Sequence, residues 1–163
     1  MARTELYGLL HVDEARIPEA RDLPFLGLCF ADEDGNVTVR RQSLNEIGVL
    51  ASRYDAHERL WTFQLDLHDD DLPNADTEPA ESFLKKLPLI GEHGMLVARE
   101  GWMDTPNWFL LVKDRNVIAR QIVEHAEEDP GFVSLDDATA LVQSLAWPAG
   151  AAFFESLKSR ASK

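Results

Sequence analysis

Asp66, His68, Asp69, Asp70 and Asp71 put four carboxylates and an imidazole within one short segment. Two kinds of chemistry use such groups. Clustered oxygen donors hold a hard divalent cation. Paired carboxylates raise one another's proton affinity, as general acid–base catalysis requires. The acidic run continues through Asp76, Glu78 and Glu81, and no Lys or Arg interrupts it before Lys85. A local negative field of this kind steers a basic protein towards the surface. The segment has no glycine to wrap a loop tightly about a cation and no second histidine beside His68. These omissions favour a protein-facing acidic surface over a metal centre.

Trp102 and Met103 lie in GWMDTPN, between two strand-like runs. An aromatic anchor on a loop is a common core of a protein interface, so this pair joins the expected partner-binding set. That set is Asp66, His68, Asp69, Asp70, Asp71, Asp76, Glu78, Trp102 and Met103.

The familiar catalytic and cofactor patterns are missing. There is no Gly-rich phosphate loop ending in Lys and Ser or Thr, no GxGxxG, no GxSxG and no HExxH. The histidines His11, His57, His68, His93 and His125 include no pair four residues apart. Cys29 is the single cysteine, which excludes an internal disulfide and a cysteine-built zinc site; within PFLGLCFA it reads as a small buried hydrophobe. No cofactor and no resident metal are expected.

Charge bounds the partners. The 163 residues carry 29 Asp and Glu against 16 Lys and Arg, a net charge of −13. That field repels nucleic acid and anionic membrane surfaces. No run reaches the roughly 18 apolar residues of a membrane span, and no signal-peptide pattern opens the chain. A soluble, cytoplasmic protein is the expectation.

The elements that must carry these residues follow from periodicity. Residues 4–12 read as a strand, 13–24 as a loop, and Phe25–Ala31 as a strand buried on both faces. Asp34-Gly35 marks a hairpin into VTVRR. SLNEIGVLASRYD reads as a helix opened by a Ser43/Glu46 capping box. Leu60 to Leu67 alternates, with Trp61, Phe63, Leu65 and Leu67 inward and Asp66 and His68 outward. A helix is expected over Pro79–Leu87, and strands over Met95–Glu100 and Trp108–Lys113. Another helix is expected over Asn116–Glu128, with His125 on its apolar side and an Arg120–Glu124 pair outside. Helices capped by Ser134 and opened by Pro148 end the chain. Strands followed by helices predict one α+β domain over 1–163, with a mainly antiparallel sheet, helices packed on one face and a C-terminal helical pair.

On these grounds the expected function is non-enzymatic: an acidic binding module that occludes a basic protein partner, as an immunity protein does a toxin. A small metal-assisted hydrolase built on Asp66, His68 and Asp69–Asp71 is the alternative, and a structural or assembly subunit a further one.

Overall fold

The computed structural model describes residues 3–67, 76–87, 90, 93–100, 105–114, 116–124 and 130–158. Its frame is a seven-stranded sheet. From one edge the order is β4 (Ala51–Asp55), β5 (Leu60–Leu67), β1 (Thr4–His11), β6 (His93–Glu100), β7 (Trp108–Lys113), β8 (Asn116–Ile122) and β9 (Phe132–Val133). All neighbours run antiparallel except β8 and β9. A second sheet is the ribbon of β2 (Pro24–Ala31) and β3 (Val37–Ser43).

The side-chain period of two divides the core into two layers. Leu6, Leu10, Trp61, Phe63, Leu65, Leu96 and Leu110 face one layer. Phe25 and Leu26 of β2 close it, with Ala20 of α1 (Ile17–Asp22), Leu44 of α2 (Leu44–Ile47), and Phe83 and Leu84 of α3 (Glu78–Lys86). Leu9, Met95, Val97, Phe109 and Leu111 face the other. It is covered by α4 (Leu135–Ser144) and α5 (Pro148–Leu157), where Phe154 meets Phe109 edge-on at 5.8 Å. The α+β class and the C-terminal helical pair are thus as expected, and helices cover both faces of the sheet. None of the described helices is long and apolar enough to cross a membrane.

Local chemistry accounts for the boundaries. Ser43 and Glu46 do form the capping box: Oγ of Ser43 accepts from the Glu46 amide at 3.3 Å, and Oε1 of Glu46 accepts from the Ser43 amide at 3.1 Å. Yet the helix lasts one turn, because Gly48 at φ 96° leaves helical geometry. The expected longer helix instead becomes β4, whose return into β5 is fixed by an aspartate turn. Oδ1 of Asp55 accepts from the amides of His57 and Glu58, and Arg59 takes φ 56°. The expected helix over 116–128 is also overturned. Asp114 at φ 51° turns the chain directly from β7 into β8, where Val117 and Ile118 suit a strand. The helical Arg120–Glu124 pairing lapses with it, and His125 lies outside the described residues.

Two smaller expectations change as well. The supposed loop 13–24 contains α1. β2 is buried only at Phe25, Leu26 and Gly27; beyond them it leaves the core, so Cys29 is exposed.

Candidate partner-binding site

Strand register puts Asp66 and the points where two of the predicted segments leave their strands at one end of the sheet. Thr4, the first residue of β1, is opposite Leu67, the last of β5, and also opposite Glu100, the last of β6. The acidic segment leaves β5 at Leu67 and the Trp102 loop leaves β6 at Glu100. Their departure points are therefore two inter-strand spacings apart, roughly 10 Å. β8 ends at the same side, since Gln121 is opposite Trp108, the first residue of β7. A second acidic stretch, EHAEEDP from Glu124, follows in the sequence from there. His68, Asp69, Asp70, Asp71, Trp102 and Met103 lie outside the described residues.

Asp66 is on the face of β5 opposite Leu65 and Leu67, as expected, but that face is half-buried and not open to solvent. Its cross-strand neighbour is Glu5, whose other neighbour is Arg99. Nη2 of Arg99 donates to Oε2 of Glu5 and, at 2.7 Å, to the Tyr7 hydroxyl, which itself donates to Glu5. The guanidinium carbon also sits 5.5 Å from the Tyr7 ring centre. This ion pair is desolvated: the Arg99 side chain is 4% exposed. Asp66 is held more loosely, 3.8 Å from Nη1 of Arg3, and its buried Oδ1 meets no hydrogen-bond donor among the described residues. Oδ1 of Asn107, beside the start of β7, is likewise buried with no donor among the described residues.

Next to the Trp102 loop, Thr105, Pro106, Ile122, Glu124, Leu135 and Asp136 line an open groove of about 370 Å³. Glu124 and Asp136 give it two exposed carboxylates. Sequence reading missed this groove because β8 was read as helix. It also missed Glu5, Tyr7 and Arg99, although polar residues at 5 and 7 already share one face of a strand.

Asp76 and Glu78 are engaged in contacts within the fold. The Asp76 backbone exchanges two hydrogen bonds with Gly27 of β2, at 2.8 and 3.0 Å. Its carboxylate accepts from the Glu78 amide at the start of α3 and lies 3.7 Å from Arg41 of β3. Glu78 reaches the same guanidinium at 4.0 Å. Among the described residues, no group of three or more His, Cys, Asp or Glu side chains is arranged to hold a metal ion.

The opposite end of the sheet carries the titratable rings. His11 and His93 stack at 6.4 Å, and His93 lies 5.0 Å from Trp147. Burial, then the charge of Arg59, lowers the pKa of His11 below its ordinary 6.5. Burial, then Lys113, lowers that of His93. The unfolded chain therefore takes up protons that these rings resist. The resulting stability is fully present above pH 6.5 and is lost as pH falls through the lowered values. The melting temperature is expected to drop between about pH 7.5 and pH 5.5, and to drop less in His93→Gln. An equal drop in the variant would contradict this.

The fold and site define an α+β domain with an acidic sheet end framed by a buried ion pair. No protein-family model, curated protein or solved structure matches the chain.

Proposed function

We propose that the protein is an acidic binding module whose sheet end occludes a basic protein partner, in the manner of an immunity protein acting on a toxin. The observation that supports this reading is the convergence on Thr4: the acidic segment and the segment carrying Trp102 start from the two strand ends that flank the start of β1. Glu124 and Asp136 add exposed carboxylates at that end. The net charge of −13 supplies long-range steering, and the loop tryptophan a desolvated anchor. Carboxylates would take the place of substrate phosphates in a cationic active site, closing it by occupancy without chemistry.

The test is capture from the source cell on the immobilised protein, at low and high salt. A partner of basic pI is expected, retained at low salt and released at high salt. Replacing Asp69, Asp70 and Asp71 together with Asn is expected to weaken capture at least tenfold, about 1.4 kcal/mol. An acidic partner, or capture indifferent to the replacements, would contradict the proposal. The hydrolase alternative predicts a rise in melting temperature with zinc, manganese or calcium that disappears in Asp66→Asn.

A further inference from the structure

We infer that the β2–β3 ribbon is a self-association arm, in which β3 of one copy pairs antiparallel with β3 of a second copy. Past Gly27 the ribbon leaves the core. Every residue from Cys29 to Arg41 is exposed, including Phe30 at 43%, Val37 at 65% and Val39 at 45%. Among the described residues, β3 is hydrogen-bonded to β2 alone, so its other edge is open. That edge holds no proline and no bulge to block another strand. A two-stranded ribbon standing by itself is marginal in water, and a third and fourth strand remedy that.

The occupant follows from the ribbon's charge order. Its tip carries Asp32, Glu33 and Asp34, and its strand carries Arg40 and Arg41. Two copies aligned antiparallel about Thr38 bring Val37 of each against Val39 of the other. Arg40 and Arg41 of each copy then run alongside the β2–β3 turn of the other, which carries Asp32, Glu33 and Asp34. Long arginine side chains can reach across such a seam to the exposed carboxylates of the turn. The two-fold repeats each contact, so the pairing closes at a dimer. Two chains of net charge −13 repel each other over most of their surface. The arm, where arginine of one copy meets acid of the other, reverses that repulsion locally. This inference stands apart from the proposed function and uses none of its residues.

Sedimentation velocity over roughly 5–500 µM, a span that brackets weak association, tests it. A concentration-dependent shift from monomer to dimer is expected. Arg40→Glu and Asp34→Arg, both at exposed positions, are each expected to raise the dissociation constant at least tenfold. The combined variant restores opposite charges across the pair and is expected to return to within about threefold of wild type. Circular dichroism checks that each variant is folded. A wild type monomeric throughout, single variants that associate like wild type, or a combined variant no better than the singles would overturn the inference.

Discussion

Arg99→Leu is expected to destabilise the protein by about 3–5 kcal/mol, lowering the melting temperature by roughly 10 °C. The guanidinium is buried, and it donates to both Glu5 and the Tyr7 hydroxyl. Leucine restores apolar volume but leaves the Glu5 carboxylate, whose side chain is only 16% exposed, without its counter-charge. The cost of the desolvated anion then remains without the Arg99 charge that offsets it. Removing both charges, as Glu5→Leu with Arg99→Leu, is expected to recover most of the loss, since two apolar groups replace a buried pair at little net cost. Thermal melts of the two singles and the double variant check this. An Arg99→Leu variant within about 0.5 kcal/mol of wild type would place the pair outside the stability of the sheet.

Gly8→Val is expected to cost about 3 kcal/mol or more, at the upper end of overpacking penalties. Gly8 lies directly opposite Phe63, and the phenyl ring rests on it. A β-carbon at position 8 would come within 2.6 Å of three ring atoms of Phe63. The ring cannot move aside cheaply, because it packs against Trp61 at 4.6 Å and Phe25 at 6.1 Å between centroids. The discriminating result is rescue. Phe63→Ala alone opens a cavity, at about 3–5 kcal/mol. Combined with Gly8→Val it is expected to cost less than the sum, because the new side chain occupies part of that space. Strict additivity would show that the glycine is not required by the ring.

These positions show what was legible in the sequence. β5 was readable because one face is apolar and the other partly wet, so its residues alternate. β6 and β7 were readable as short apolar runs, buried on both faces. The two misread helices failed for one physical reason. Ser43–Asp55 and Asn116–Glu128 carry apolar residues that satisfy a period of 3.6, while the turns that break or flank them hinge on single residues. Gly48, Arg59 and Asp114 take positive φ, and only for glycine does residue type announce it. Cys29 was misplaced because an apolar strand was read as core, when its outer half belongs to a ribbon that leaves the core. The face of β5 that carries Asp66 was recognisable. Its neighbours Glu5 and Arg99 were not, since strand order brings together residues 94 positions apart in sequence.

The acidic sheet end makes its strongest commitment in kinetics. Electrostatic steering acts on the association rate, and dissociation depends on close contacts such as a buried tryptophan. The most direct measurement is the stopped-flow association rate constant with the captured partner, as a function of ionic strength. For wild type it is expected to fall at least tenfold between about 20 and 500 mM salt, with a shallower fall when Asp69, Asp70 and Asp71 are Asn. An association rate independent of salt, or equally salt-dependent in the variant, would contradict a partner drawn in by this end of the sheet.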